Sequence, residues 1–539
     1  MKISVLLLSL IASFAFASGT YDHWALHLFR VYQYTTPFEQ IGEPYLAVQE
    51  SANGQNNEMH LIHSGIAALY KRLDMIERAQ KNIELEYFIF SLKKSEPQPG
   101  EGDEERATKF VLNKLIDKAV AGVQVRLLVD KSAAVHQFDN EETLAVKREI
   151  SKSRGNPNNF EVHYYNSRFY FVKDFLGVSN FRNHRKLLAI DDTEAITGGR
   201  NIEDKYFDLD HGYNFLDRDI WVKGPIVPVM RASFDKFWKA GVVDRANVDL
   251  QLLRVPGEKE LAAQKFLKMS SADQDLFSKV MSVGKAAYET SQTHNCPKTT
   301  FASDKPIPSV MARWCLENFD KNALCEKNYK EEYRITERVI GKMIRSLDAG
   351  DELYVESPYV MLNTRSGNLL KYLTEKGIKL RVSTNSLSST DATYAAAAFY
   401  RNVNHFAESG IQLFVHGSDW RSTPFLAEEP VSKARWGSHM KSHLYGDKGF
   451  FVGTYNVDNR SSFYNTEMGL FCEGSPQLNA DIKNEVLGIM NDVGYHLRYR
   501  DQAFDSHYKK QNPLGKNGDE KKLTMNLMMV PVYFFQALF

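Results

Sequence analysis

The chain of 539 residues has no excess of charge of either sign, since 67 lysines and arginines balance 67 aspartates and glutamates. Proteins that bind DNA or RNA usually carry a basic excess, because phosphate neutralisation supplies most of their non-specific affinity. The balance argues against nucleic acid as the main partner, although it does not exclude a local basic groove. The composition, 43% apolar and 25% charged, is typical of a folded protein, and the length allows two sizeable cores.

Cysteine is scarce, and four residues do not make a disulfide framework in a chain of this length. Cys296, Cys315 and Cys325 lie in one segment, and export would permit a single bridge among them. Cys472 stands in an apolar run and is predicted to be a buried thiol. No C-x-x-C and no H-E-x-x-H occurs, so we expect neither a metal nor another cofactor.

The apolar run at the N-terminus is about 15 residues long, shorter than the ~20 residues that a membrane-spanning helix needs. It follows Lys2 and ends in Ala15-Phe16-Ala17, the small-x-small pattern of a secretory cleavage site. We therefore predict a signal peptide and a protein exported from a bacterial-type cell, periplasmic or membrane-associated. An uncleaved membrane anchor is the alternative.

The predicted helices and strands that follow occur twice in the same order. A helix and strand near residues 64–90 correspond to a helix and strand near residues 334–356. The run GIKLRV at residues 377–382 likewise repeats GVQVRL at residues 122–127. Strands that alternate with helices predict an α/β fold, with one αβα sandwich lobe in each half and the two lobes related by a pseudo-twofold axis.

This repeat divides the chain into six predicted segments. In chain order they are a signal peptide (1–17), an N-terminal extension (18–60), lobe 1 (61–240), a mostly helical insertion (241–330), lobe 2 (331–510) and an apolar C-terminal tail (511–539). We expect the two lobes to face each other and to share one active site.

The two repeats match best around two histidines. Each copy contains a histidine, a lysine two residues later and an asparagine 17 residues after the histidine, since 201−184 and 456−439 are both 17. The two sets are His184, Lys186 and Asn201, and His439, Lys441 and Asn456. On a strand, residues i and i+2 point to the same face. An imidazole beside an ammonium can attack or protonate a phosphodiester while the ammonium stabilises its anionic oxygens, so two facing copies supply a nucleophile and a general acid.

These H-x-K motifs resemble the signature of the phospholipase D superfamily, and the chain is similar to bacterial cardiolipin synthases that bear a signal peptide. The resemblance implies that His184 forms a phosphohistidine intermediate, while His439 protonates the leaving alcohol and then deprotonates the acceptor. The residues expected to hold the phosphoryl oxygens are Lys186, Lys441, Asn201 and Asn456. Asp217 and Glu467 stand where the family has carboxylates that orient the imidazoles.

The second copy departs from the family pattern at one position. Asp191 stands seven residues after its histidine, as the signature requires, but Gly446 occupies that place in the second copy and Asp447 follows it. As the aspartates of the signature, Asp191 and Asp447 are predicted to belong to the catalytic set. The family's aspartate is mainly a structural anchor, so a bulge at Gly446 would absorb the shift; the alternative is a weakened second half-site. His443 stands where the family has an apolar residue and is predicted to be a paired, buried histidine.

The resemblance implies phosphatidyl transfer to an alcohol such as phosphatidylglycerol, which makes cardiolipin. We expect a monomer whose partners are a phospholipid and a membrane surface. Aromatic residues over 164–176 and the uncharged residues 523–539 suit a membrane interface, with packing onto a lobe as the alternative. Three other functions stay open: a phospholipase D that transfers to water, a nuclease that uses the same histidines, and a weakened lipid-binding module.

Overall fold

The computed structural model describes most of both predicted lobes. The described residues are 49–50, 56–97, 102–131, 138–166, 181–240, 243–246, 248, 252, 254–306, 333–361, 364–421, 423–497, 518 and 521–528. The predicted signal peptide, the aromatic residues 168–176, and Cys315 and Cys325 lie outside them.

The described residues form helices and strands throughout. The helices are α1 (Gly65–Arg78), α2 (Arg106–Val120), α3 (Asn140–Lys152), α4 (Val227–Trp238), α5 (Glu258–Phe266), α6 (Ser271–Tyr288), α7 (Ile335–Arg345), α8 (Thr364–Glu375), α9 (Thr393–Glu408), α10 (Pro476–Asp492) and α11 (521–528). The strands are β1 (Gln49–Glu50), β2 (Asn57–Ile62), β3 (Asn82–Tyr87), β4 (Gln124–Asp130), β5 (Phe160–Tyr165), β6 (Leu187–Ile190), β7 (Glu194–Gly198), β8 (Tyr213–Leu216), β9 (Asp219–Lys223), β10 (Val243–Arg245), β11 (His294–Cys296), β12 (Lys298–Ser303), β13 (Glu352–Glu356), β14 (Lys379–Asn385), β15 (Gln412–His416), β16 (Arg435–Ser438), β17 (Ser442–Tyr445), β18 (Gly449–Gly453), β19 (Met468–Glu473) and β20 (Gly494–Leu497). None of the helices in this described part of the chain has both the length and the hydropathy that a bilayer-spanning helix requires.

Two nine-stranded sheets repeat one plan. The first has the order β10-β5-β4-β3-β6-β7-β9-β2-β11, and the second, taken in the matching direction, has the order β20-β15-β14-β13-β17-β18-β19-β12-β1. In both sheets the first three core strands along the chain are parallel, and the next strand pairs antiparallel to the first of them. The predicted α/β fold with two related lobes is therefore confirmed.

The sheets are buried on both faces, which explains their nearly continuous apolar strands. Along β6, Leu188 and Ile190 face the helices of lobe 1, whereas Leu187 and Ala189 face a core that both lobes share. Leu444 of β17 enters the same shared core from lobe 2, together with residues of α4 and α10. Because this apolar layer is common to both sheets, it holds the two lobes against each other.

The segment predicted as a mostly helical insertion also completes the sheets. Helices α5 and α6 pack against lobe 1, as helices predicted there would. However, β10 and β11 form the two edges of the first sheet, and β12 is an interior strand of the second, paired with β19. Strands of three residues such as β10 and β11 are too short to show the alternation that marks a strand in a sequence.

A disulfide joins the two sheets, in contrast to the prediction that Cys472 is a free buried thiol. Cys296 at the end of β11 is bonded to Cys472 in β19, with their Cα atoms 5.8 Å apart and a separation of 176 positions in sequence. Both residues are fully buried, so the predicted burial of Cys472 is correct and its predicted chemistry is wrong. A pairing across so many residues depends on how the lobes face each other, and the sequence pattern carries no information on that.

We expect the replacement of Cys296 and Cys472 by alanine to lower the free energy of unfolding by about 2–5 kcal/mol, because the bridge restricts a very long loop in the unfolded chain. Denaturant titration of the oxidised protein measures the loss. Peptide mapping without reduction identifies the bonded pair directly. A peptide that links Cys296 to Cys315 or Cys325 would contradict the structure.

Candidate active site

The two predicted histidines meet where each lobe pairs with a backbone segment of the other. His184 precedes β6 and donates its backbone N–H to the carbonyl of Thr466 in lobe 2, at 3.1 Å. His439 follows β16 and donates its backbone N–H to the carbonyl of Leu216 in lobe 1, at 2.7 Å. The strand pair β8–β16, parallel and formed between the lobes, lies beside this contact. The chain therefore places both histidines at the interface of the lobes rather than within either one.

Each imidazole is held by a carboxylate of the opposite lobe. Glu467, from lobe 2, lies with its carboxylate oxygens 3.0 and 3.1 Å from Nδ1 of His184. Asp217, from lobe 1, lies with an oxygen 2.7 Å from Nδ1 of His439. A carboxylate at Nδ1 fixes the proton there, which leaves the lone pair on Nε2 of His184 free to react. In His439, by contrast, Nε2 lies 3.1 Å from Nζ of Lys441. The carboxylates that the family resemblance named thus lie on the imidazoles, and both pairs cross between the lobes.

The two carboxylates have different surroundings because the two copies differ in the side chains beside them. A Cβ at Gly199 would lie 2.2 Å from an Asp217 oxygen, so glycine leaves room for that carboxylate. The corresponding residue of the second copy is Thr454, whose hydroxyl donates to Glu467. Ser461 donates to the other Glu467 oxygen at 2.7 Å. Glu467 therefore accepts two hydroxyl hydrogen bonds in addition to that of its histidine.

These surroundings separate the acidities of the two carboxylates. Burial raises the pKa of Asp217 above its ordinary value, although Lys441 and Arg200 oppose the shift. Burial acts in the same direction on Glu467, but the hydrogen bond from His184, the charge of Lys186 and the hydroxyl of Thr454 hold the pKa of Glu467 below its ordinary value. Glu467 is thus the better stabilised anion, and it can support more positive charge on the ring of His184 than Asp217 can on His439.

Asp304 is a buried residue that sequence reasoning missed. One of its oxygens accepts the backbone N–H of Glu467 at 2.9 Å, and the other accepts the backbone N–H of Thr336 at 2.9 Å. It fixes the backbone from which the Glu467 side chain reaches His184. The residue directly follows β12, which corresponds to β2 in the other sheet but lies in the segment predicted as an insertion, so the motif comparison gave no signal for it.

The two lysines lie beside their histidines as the i, i+2 spacing predicts. The Nζ of Lys186 donates to the carbonyl of His184 at 2.7 Å, and the Nζ of Lys441 donates to the carbonyl of His439 at 2.6 Å. Burial lowers the pKa of Lys186 to about 7, with the charge of Lys441 adding to the shift, and burial lowers the pKa of Lys441 to about 8. Two ammonium groups whose charge is destabilised by burial and mutual repulsion gain from a bound anion, so the site suits a phosphodiester.

The histidines are neutral in this arrangement. Burial lowers the pKa of His184 to about 4, against the opposing charge of Glu467, and burial with the charges of the lysines lowers the pKa of His439 well below its ordinary value. A neutral His184 is already a competent nucleophile at neutral pH. A phosphodiester bound between the lysines would raise the pKa of His439 again, since an anion favours the protonated ring.

The two predicted asparagines are placed differently. In Asn201 the side-chain oxygen accepts the backbone N–H of Ile89 at 3.1 Å, and the amide donates to the hydroxyl of Tyr206 at 3.0 Å. In Asn456 the buried side-chain oxygen has no hydrogen-bond partner within the described residues. The side chain of Asn201 is therefore fixed by hydrogen bonds to its neighbours, whereas the side chain of Asn456 could turn toward a ligand.

Aromatic rings enclose the imidazoles, and sequence reasoning missed their role. Phe88 contacts His184 edge-on with the ring centres 5.3 Å apart. Tyr206 and Phe215 contact His439 with ring centres 5.1 and 5.0 Å away. These rings reduce the access of water and so strengthen each charge interaction within the site.

Asp191 and Asp447, grouped with the catalytic residues on the signature, lie away from the histidines. The carboxylate of Asp191 accepts three backbone N–H groups of residues 80–82 at 2.6, 2.8 and 2.9 Å, and so anchors the loop between α1 and β3. Asp447 is exposed in the turn between β17 and β18. The corresponding anchor in lobe 2 is Lys448, whose Nζ lies 2.8 Å from Asp348 and 2.9 Å from Asp351.

The bulge predicted at Gly446 is absent, because β17 and β18 pair in the same register as β6 and β7. Gly446 has φ 55° and Asp191 has φ 52°, so both occupy the same left-handed turn position. Glycine adopts that conformation without strain but provides no carboxylate. The shifted aspartate therefore changes the loop anchor of lobe 2 and leaves His439 and Lys441 in place.

His443 is buried as predicted but is paired at one ring nitrogen. Its Nδ1 lies 3.1 Å from the hydroxyl of Tyr445, and its buried Nε2 has no hydrogen-bond partner within the described residues. Burial lowers the pKa of His443 to about 4, so the ring is neutral and packs as part of the lobe 2 core, against Phe451.

Comparisons with known proteins agree with this fold. Residues 73–238, within lobe 1, match the family described as "Cardiolipin synthase, PLD-like domain". The chain is 24% identical over 460 residues to cardiolipin synthase C of Escherichia coli (strain K12), covering 84% of this chain and 90% of that protein. It is 25% identical over 445 residues to an uncharacterised protein of Helicobacter pylori (strain ATCC 700392 / 26695), covering 80% and 79% respectively.

The fold is also similar to a solved structure. The phosphatidylserine synthase of Haemophilus influenzae Rd KW20 superposes with a TM-score of 0.58 at 14% identity, covering 93% of this chain and 99% of that one. Residues 73–238, which contain the first H-x-K motif, therefore match a phospholipase D-like domain, and the whole chain is similar to a protein named cardiolipin synthase C.

The two aspartates of the signature should differ in their effect on stability. We expect Asp191→Gly to lower the free energy of unfolding by about 1–3 kcal/mol, because three backbone N–H groups lose a charged acceptor while glycine keeps the positive φ. The matched variant Asp447→Ala should change it by less than about 0.5 kcal/mol, as is usual for an exposed side chain. Denaturant titration measures both. Equal losses, or a loss of phosphodiester cleavage in Asp447→Ala, would contradict the assignment of these residues.

Proposed function

We infer that the protein is a phosphatidyltransferase that makes cardiolipin from phosphatidylglycerol and a second phospholipid. The observation that supports this proposal most directly is the pair of buried, neutral imidazoles, each oriented by a carboxylate of the other lobe and accompanied by a lysine. Such a pair provides a nucleophile and an acid–base catalyst on a single bound phosphodiester. The relatives named as cardiolipin synthases support the choice of substrate class.

In the first step, Nε2 of His184 attacks the phosphorus of the donor lipid, and the bond from phosphorus to the leaving alcohol oxygen breaks. His439 gives that oxygen its proton. Lys186 and Lys441 stabilise the charge on the remaining phosphoryl oxygens. The assignment of His184 as nucleophile is supported by Glu467, the better stabilised carboxylate, which compensates the positive charge that the ring gains with phosphorus on Nε2.

In the second step, the neutral ring of His439 takes the proton of the acceptor hydroxyl, and the acceptor oxygen attacks phosphorus. The bond between phosphorus and Nε2 of His184 breaks, which regenerates the free imidazole. If phosphatidylglycerol supplies the hydroxyl the product is cardiolipin, and if water supplies it the product is phosphatidic acid. The aromatic rings around both histidines favour the lipid acceptor by limiting water.

We also propose that the protein is exported and works outside the cytoplasm. The bridge between Cys296 and Cys472 supports this location, because structural disulfides persist in oxidising compartments such as the bacterial periplasm. The predicted signal peptide at residues 1–17 has the same implication.

The test is lipid analysis of the purified full chain incubated with phosphatidylglycerol and phosphatidylethanolamine. We expect cardiolipin from the wild type and a loss of at least about 10³-fold in His184→Ala and in His439→Ala, because these two residues act as one catalytic unit. His294→Gln is the matched control. His294 lies on β11, four strands and so about 19 Å from β6 in the first sheet. The variant should therefore keep full activity.

Further measurements on the same proteins separate the alternatives. A substrate whose leaving group needs no protonation, such as phosphatidyl p-nitrophenol, should let His439→Ala accumulate a phosphatidyl group on the peptide that contains His184. Phosphatidic acid without cardiolipin would make the protein a phospholipase D. No change in any lipid would contradict the proposal and direct attention to nucleic acid.

A further inference from the structure

The helix α11 packs onto lobe 2 with one side and leaves two leucines exposed on the other. Met525 is 5% exposed and lies with Met528 against the alanine-rich part of α9 at Ala395–Ala398. Leu523 and Leu527 are 72% and 69% exposed. The uncharged C-terminal residues were expected either to suit a membrane interface or to pack onto a lobe. Within α11, one face packs onto lobe 2, and the other is apolar and faces solvent.

The exposed leucines share one helix face. They are four residues apart, which places their side chains side by side and opposite Met525. The other large apolar side chains that are strongly exposed among the described residues are Val255, Leu261 and Tyr372. These stand in separate elements, so Leu523 and Leu527 form the pair that presents a continuous apolar surface.

The first turn of α11 borders the proposed active site. The Nζ of Lys521 lies 3.4 Å from the carbonyl oxygen of Thr390 and within electrostatic range of Asp391 and Arg435. Thr390 follows Ser389, whose carbonyl accepts the hydroxyl of Tyr213 at 2.6 Å. Tyr213 packs against Phe215, which contacts the ring of His439. The helix therefore borders the site on its lobe 2 side, here called the mouth of the site.

The charged residues of α11 itself are both basic: Lys521 is half-buried, and Lys522 is exposed beside the leucines. The neighbouring Arg435 is half-buried and is offset by the carboxylates of Asp391 and Glu96. Exposed leucines next to lysines are the composition of a helix that lies in the surface of an anionic bilayer, with apolar side chains in the acyl region and cations at the headgroups.

We propose that α11 docks the mouth of the active site onto an anionic phospholipid bilayer through Leu523 and Leu527. The inference rests on the proposed function, since a phosphatidyltransferase must take its lipids from a membrane. Two leucines expose far less than the roughly 1,200 Å² that a stable protein–protein interface buries, which favours a bilayer over a second copy of the chain. Insertion of the pair brings Lys521 and the adjoining mouth to the headgroup level.

Vesicle flotation of the full chain tests the proposal. The probe is a vesicle of phosphatidylglycerol and phosphatidylcholine, compared with phosphatidylcholine alone. We expect the variant Leu523→Ser/Leu527→Ser to bind anionic vesicles at least about tenfold more weakly than the wild type, because two apolar side chains no longer enter the bilayer. Leu261→Ser makes the same substitution at a leucine that is 53% exposed on α5, and this variant should bind like the wild type.

The turnover of short-chain phospholipids dispersed below their micellar concentration distinguishes this proposal from the proposed function. The double variant should retain the wild-type rate on dispersed substrate and lose rate on vesicles. Vesicle binding equal to that of the wild type, an equal loss in Leu261→Ser, or a self-associated species that the double variant abolishes would overturn the bilayer assignment. Absence of turnover in the wild type would instead contradict the proposed function, while the flotation result would still test membrane binding through α11.

Discussion

The exchange of carboxylates between the lobes is the interaction on which the site depends. Glu467 of lobe 2 orients His184 of lobe 1, and Asp217 of lobe 1 orients His439 of lobe 2. Neither lobe contains a complete half-site, because each histidine would lack its proton acceptor at Nδ1 if the lobes separated. The shared apolar core, the parallel pair β8–β16 and the disulfide between Cys296 and Cys472 therefore hold the site together as well as stabilising the fold.

Burial gives this exchange its chemical effect. In water, an imidazole and a lysine side chain would both interact only weakly with a phosphodiester. Inside the interface, burial lowers the pKa of both histidines and of Lys186 and Lys441. The histidines are therefore neutral, and the charged form of each lysine is destabilised until an anion binds. The site thereby suits a singly charged phosphodiester, and under the proposed function the binding of that anion would prepare His439 to act as an acid.

The sequence predicted the repeated part of this structure well. The spacing of His184 and His439 from their lysines identified the site, and the alternation of strands and helices predicted two related α/β lobes. What could not be predicted arises from contacts between the copies. Nothing in the pattern shows which carboxylate pairs with which histidine, and Cys472 looked like an ordinary core residue because its partner is 176 residues away. Asp304 lies in the segment predicted as an insertion, and Thr454 is informative only once it is seen to replace Gly199 beside the carboxylate.

The most direct test of the crossed pairs is NMR of the Nδ1–H protons in protein labelled with ¹⁵N-histidine. The wild type should show two strongly hydrogen-bonded Nδ1–H resonances, assigned through His184→Ala and His439→Ala. Glu467→Gln should shift or remove the resonance of His184 and leave that of His439, and Asp217→Asn should do the reverse. If each carboxylate variant instead affected the histidine of its own lobe, or neither resonance changed, the crossed arrangement would be contradicted.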